Sequence, residues 1–123
     1  MKVLVVDDDP DYRTMLRMQL EIRHQLDVIG EAGDGSEALA YLETAVPDAL
    51  VLALMMPGMD GYEAIVHLRE RFPELPVVAY TAVTGQSAQE HCDRYGVPLL
   101  RKSGDTSGLV EMLREAVNGA AEG

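Results

Sequence analysis

The chain has 123 residues, 47% hydrophobic and 25% charged, with 10 basic against 21 acidic side chains and a formal charge of −11. That balance suits one globular domain with a buried core and excludes a disordered tract, while the acidic excess argues against direct binding of nucleic acid or anionic membranes. One cysteine, Cys92, rules out an intrachain disulfide, and the apolar run after Lys2 is too short for a signal-peptide core or membrane span, so a cytoplasmic location is expected.

The first apolar run, Val3–Val6, has no apolar/polar alternation and reads as a strand buried on both faces. Asp9-Pro10 then supplies a helix N-cap with proline at the first position, and Tyr12, Met15, Leu16, Met18, Leu20 and Ile22 form the apolar side of that helix. Val28–Ile29 is the faintest strand, blurred by Gly30 and Gly33. Asp34-Gly35-Ser36-Glu37 resembles a capping box ahead of Ala38, Leu39 and Leu42. A third strand spans Leu50–Leu54. Asp60-Gly61 opens a helix carrying Tyr62, Ile65, Val66 and Leu68, which ends before Phe72-Pro73. Val77–Tyr80 is the fourth strand. Thr84–Tyr95 is the least apolar helix, stopped by Gly96 in the C′ position. Val97–Leu100 is the fifth strand, and Asp105-Thr106-Ser107 starts a last helix bearing Leu109, Val110, Met112, Leu113, Ala116 and Val117. The domain is expected to cover residues 1–118, with 119–123 a frayed tail or the stump of a linker.

Five strand–helix repeats with short loops predict an α/β fold: a doubly wound, five-stranded parallel sheet with right-handed crossovers and helices on both faces. In such sheets ligands bind beyond the carboxyl ends of the strands. Asp7, Asp8 and Asp9 fall there from the first strand, Met55 to Gly61 from the third, Thr81 from the fourth, and Lys102 and Ser103 from the fifth. Neighbouring carboxylates suit a hard cation such as Mg²⁺, and a lysine with a hydroxyl suits a phosphoryl group. Asp9 is better explained as a helix cap. Asp7 and Asp8 repel each other unless something binds them, which makes a purely structural role for that pair less economical. Thr81 or Lys102 alone would be unremarked surface chemistry; their convergence is what points to a site.

The segments V-V-D-D-D-P (5–10), G-E-A-G-D-G-S-E-A-L (30–39), P-D-A-L-V-L-A-L-M-M-P-G-M-D-G (47–61), P-V-V-A-Y-T-A (76–82) and L-L-R-K-S (99–103) together resemble the receiver domain of bacterial two-component response regulators. The resemblance implies the flavodoxin-like strand order 2-1-3-4-5. It implies Asp7 and Asp8 as the acidic pair, with Asp8 a direct Mg²⁺ ligand and the backbone carbonyl of Met55 another. Thr81 matches the switch hydroxyl, and Lys102 the lysine that contacts the phosphoryl group. A sensor histidine kinase or phosphotransfer protein is the implied partner. An effector domain or a second copy is expected on the face of the fourth helix, fifth strand and fifth helix (Gln86–Tyr95, Leu99, Asp105–Val117).

Two positions depart from the family pattern. The family's phosphate-accepting aspartate lies four residues before the proline of M-P-G, and here that position is Ala53. A methyl group cannot attack a phosphohistidine, and it removes one metal ligand, so Mg²⁺ binding is expected to be weakened and phosphotransfer lost. Leu99 stands where many receivers have the Tyr or Phe that moves with the switch threonine. The chain thus reads as a receiver locked unphosphorylated by a substitution, or as a natural phosphate-independent module that signals by contact. Rival classes fit less well. A haloacid-dehalogenase-type phosphatase needs D-x-D-x-T/V, and Asp7-Asp8-Asp9-Pro10-Asp11 ends in aspartate. A flavodoxin's first loop is rich in Ser, Thr and Gly, and three aspartates would repel the flavin phosphate. His24, His67 and His91 fall in separate helices and read as surface residues, Cys92 as a helix-packing residue, and Gly35, Gly58 and Gly61 as turn glycines.

Overall fold

A computed structural model describes residues 1–82 and 84–122, with side chains to residue 120. Gly123, the last residue of the expected tail, lies outside the described residues. The chain runs β1 (Lys2–Val6), α1 (Pro10–His24), β2 (Asp27–Ala32), α2 (Gly35–Leu42), β3 (Ala49–Leu52), α3 (Gly61–Arg71), β4 (Val77–Thr81), α4 (Gln86–Arg94), β5 (Leu99–Arg101) and α5 (Ser107–Glu122). The strands form one sheet in the order β2-β1-β3-β4-β5, and every pairing is parallel.

The continuous apolar runs bury both faces of this sheet. Leu4, Val6, Leu50, Leu52, Val77 and Ala79 pack with Ala38, Leu39 and Leu42 of α2, Ala64, Ile65 and Leu68 of α3, and Ala88 and Cys92 of α4. Val3, Val5, Ala49, Val51, Val78 and Tyr80 pack with Leu16 and Leu20 of α1 and Leu109, Val110 and Leu113 of α5. Each buried aliphatic side chain contributes about 1.5–3 kcal/mol relative to exposure, so these two layers dominate the favourable side of folding.

The expected helix starts form for the expected reason. Asp9 Oδ1 accepts the N–H groups of Asp11 and Tyr12, Asp34 Oδ1 that of Glu37, and Asp60 Oδ1 that of Glu63. Gly96, at φ 65°, follows the last turn of α4 as the left-handed stop. Several boundaries move. β3 stops at Leu52, so Leu54 lies beyond the strand, and β5 is Leu99–Arg101 rather than Val97–Leu100. β2 runs over six residues, Asp27–Ala32, and its register with β1 slips between Val3 and Leu4, the ladder resuming at Gly30. Gly30 and Glu31 interrupt its apolar run, which is why it reads faintly in the sequence. α4 starts at Gln86, two residues after Thr84, and α5 continues through Gly119 to Glu122.

Two further readings need correction. Two of the histidines are half-buried rather than free surface residues, while His67 stays at the surface with its side chain 39% exposed beside Glu63. His91 lies between the rings of Tyr62 and Tyr95, with Nε2 2.9 Å from the Tyr62 carbonyl oxygen, and His24 Nε2 is 3.2 Å from the Thr106 hydroxyl. Of the three turn glycines only Gly58 has a left-handed φ, 73°; Gly35 and Gly61 are buried first residues of helices. Cys92, by contrast, packs in the core as expected, and burial pushes its thiol pKa up. Alkylation needs thiolate at an accessible sulfur. Iodoacetamide is therefore expected to spare Cys92 in the native chain at pH 8 and to label it fully in denaturant; equal rates in both conditions would contradict the packing.

Candidate functional site

The strand order reverses between β1 and β3, where β1 connects to β2 on one side and β3 begins the other half of the sheet. In open parallel sheets that reversal is where ligands bind, beyond the carboxyl ends of the strands. Val6 pairs with Leu52, and the ladder runs one step further: the Ala53 N–H donates to the Val6 carbonyl at 2.9 Å. On the other flank the Asp7 N–H donates to Ala32 O at 3.0 Å. Asp7 and Ala53 are therefore fixed side by side by backbone, whatever their side chains do. Asp7 is 3% exposed and Ala53 4%.

Gly61 explains how the loop after β3 folds back over this point. Its N–H donates to Leu54 O at 2.8 Å, and a Cβ there would collide with the Ala53 carbonyl oxygen and lie 2.6 Å from Leu54 Cα. Only glycine lets the start of α3 lie against the end of β3. The loop places Met55 outward, with its side chain 57% exposed, while Met56 is buried.

From the far side, β5 pairs Arg101 with Thr81, and the next N–H, that of Lys102, donates to Thr81 O at 2.8 Å. Thr81 itself is buried. The Lys102 side chain reaches across to Asp7, with Nζ 2.6 Å from Oδ2, and its ammonium lies 4.0 Å from the centre of the Tyr12 ring. Asp7 Oδ1 accepts the Asp9 N–H at 3.0 Å, so both of its oxygens are engaged. Burial, reinforced by the nearby Tyr80 hydroxyl and the Asp7 carboxylate, pushes the Tyr12 phenol well above its ordinary range. Asp8 is exposed.

The structure thus joins Asp7 directly to Lys102, sets Ala53 beside Asp7 and Thr81 beside the Lys102 backbone, and leaves Asp8 and Met55 at the rim. Leu99 is half-buried against the α3–α4 side of the sheet, away from Lys102. Sequence reasoning missed three participants. Tyr12 and Tyr80 were counted as apolar positions. Arg13 donates to the Asp7 carbonyl at 2.5 Å and pairs with Glu31, which also holds Arg17. An arginine at the start of the helix that follows an acidic triplet was the available signal.

The residues present make up only part of a donor set for Mg²⁺. The ion prefers near-octahedral oxygen ligation with one or two free carboxylates. Here Ala53 offers a methyl group, each Asp7 oxygen already accepts one hydrogen bond, and Asp8 is the exposed carboxylate. Among the described residues no group of three or more His, Cys, Asp or Glu side chains is arranged to hold a metal.

Comparison with known proteins agrees with this architecture. Residues 3–114 match the family model of the response regulator receiver domain. An uncharacterized 14.6 kDa protein of Leptolyngbya boryana is 36% identical, over 94% of this chain and 88% of that one. A protein-glutamate methylesterase/protein-glutamine glutaminase of Carboxydothermus hydrogenoformans is 30% identical over 94% of this chain, which spans 35% of its length. The chain spans less than half of the transcriptional regulator and of the other methylesterases it matches. A LuxR-family two-component response regulator from Aurantimonas superposes with a TM-score of 0.88 at 28% identity, over 96% of this chain and 85% of that one. No helix among the described residues is long and apolar enough to cross a membrane. With its sheet order, its strand-end acids and a family match that covers nearly all of it, the chain belongs to the response regulator receiver domains of two-component signalling.

Proposed function

We propose that this receiver takes no phosphate at its strand-end site and works through protein contacts in the unphosphorylated form. The observation that carries the reading is the pairing of Ala53 with Asp7. The position for a nucleophile is backbone-fixed beside an acid and a lysine, and it carries a methyl group. The other nearby acids are already employed. Asp9, Asp34 and Asp60 cap helices, and Asp48 accepts the Lys2 N–H at the opposite end of β3. In this reading Asp8, Asp7 and the Met55 carbonyl are the remnant of a metal site with weakened affinity for Mg²⁺. Lys102 and Thr81 are the remnant of the phosphoryl-binding groups, and Leu99 with Thr81 is a switch without its aromatic partner. The partners are a histidine kinase or phosphotransfer protein, and an effector domain or second copy on the α4-β5-α5 face.

A natural module that never used phosphate is the second reading, and the Lys102–Asp7 pair favours it, since the acid is neutralised without any ligand. Both readings give the same expected result. Incubation with Mg²⁺ and acetyl phosphate leaves the intact mass unchanged. A hydroxylamine-labile gain of one phosphoryl group would overturn the proposal and point to Asp8 or Asp60.

A further inference from the structure

Lys102 is aimed by more than its ion pair. The residue after it, Ser103, is gripped at both of its backbone polar groups by one hydroxyl. The Ser103 N–H donates to Tyr80 Oη at 3.2 Å, and Tyr80 Oη donates to the Ser103 carbonyl at 3.1 Å. Tyr80 is itself 1% exposed on β4, packed in the core, so its hydroxyl is a fixed point. On the other side of Lys102 the backbone N–H is tied to Thr81 O, and the ammonium rests on the face of Tyr12, where cation–π attraction holds it. Few torsions remain, and they lead Nζ to Asp7 Oδ2.

We propose that Tyr80 is a positioning residue whose hydroxyl aims Lys102 into the acid pocket, making the lysine the resident cation of this site. The acid pair that would otherwise call for a divalent ion is balanced by an ammonium group from the chain itself. A metal ion entering the pocket must displace that ammonium from Asp7. Removing the Tyr80 hydroxyl leaves the ring in the core but frees both polar groups of Ser103, and the lysine's hold on Asp7 weakens. The inference stands whether or not Ala53 marks a former phosphate acceptor.

The test is a titration with Mn²⁺ alone, following the free ion by electron paramagnetic resonance, on the unaltered chain, Tyr80→Phe, Lys102→Met and the double variant. Lys102→Met is expected to tighten Mn²⁺ binding about tenfold, because a unit charge is removed from a partly buried contact. Tyr80→Phe is expected to tighten it about threefold, and to add nothing once Lys102 is gone. That non-additivity separates aiming the lysine from general loosening of the fold. Should Tyr80→Phe fail to fold, Ser103→Pro removes the N–H that the hydroxyl accepts and is expected to act in the same lysine-dependent way. The proposal is overturned if Lys102→Met fails to tighten Mn²⁺, or if Tyr80→Phe has no effect or acts equally with and without Lys102.

Discussion

Replacing Ala53 with aspartate is expected to restore phosphate uptake and to make the stability of the chain depend on a divalent cation. The backbone at residue 53 is already held by Val6 O, so the new carboxylate emerges beside Asp7 with no rearrangement of the strand. Like charges held close disfavour joint ionisation, which raises the folded-state pKa of the added group above its unfolded value of about 3.9. The penalty is then absent below the unfolded pKa and complete above the folded one, so the variant loses stability as pH rises toward neutrality. Lys102 offsets part of it by sharing its charge between two acids. A net loss of about 1 kcal/mol at pH 7 without metal is expected. Saturating Mg²⁺ should recover it, because the ion binds the folded site and not the unfolded chain. Melts with and without Mg²⁺ test the stability, and labelling by acetyl phosphate tests the chemistry. If the variant shows neither metal-dependent stabilisation nor a hydroxylamine-labile phosphoryl group, residue 53 is not the vacated acceptor.

Gly61→Ala is expected to be the most damaging single-methyl change near the site. Its Cβ meets the Ala53 carbonyl and Leu54 Cα, which are backbone atoms and cannot rotate aside. Relief requires the start of α3 to lift from the end of β3, which breaks the Gly61 N–H to Leu54 O bond and opens the packing of Ala64 and Ile65. The expected cost is about 3 kcal/mol, corresponding to a drop of roughly 10 °C in melting temperature for a domain of this size. Gly104→Ala is the control: a Cβ there meets nothing within 4 Å, and a change within about 0.5 kcal/mol is expected. Similar melting temperatures for the two variants would show that the loop is not seated as described.

Much of this arrangement was legible because it follows from short-range rules. A strand buried on both faces must be continuously apolar, and Val3–Val6 and Val77–Tyr80 are. An aspartate before a helical period must cap it, and Asp9, Asp34 and Asp60 do. The meeting of Asp7 with Lys102 was foreseeable from sheet topology alone, since both follow parallel strands at the same end. What escaped depends on long-range geometry. β2 read faintly because Gly30 and Glu31 interrupt its apolar run, and its register slip against β1 leaves no local signature. Tyr80 counted as one more apolar residue in a strand, because nothing in its neighbours shows that its hydroxyl reaches a loop 23 residues later. Gly61 passed for a turn residue because close approach by a distant backbone leaves no local signature.

The guanidinium of Arg69 donates to three carbonyls: Leu75 O at 2.7 Å, Tyr95 O at 2.8 Å and Gly96 O at 3.4 Å. Two of these lie at the C-terminal end of α4, and His91 ties the same helix to the Tyr62 carbonyl of α3. At its other end α4 begins on Gly85, at φ 155°, with no side-chain cap. Among the described residues the C-terminal end of α4 therefore holds more polar ties than its first turn, which is seated by Ala88 in the core. Fraying is expected to begin at Gln86 rather than at the last turn, which is tied to α3.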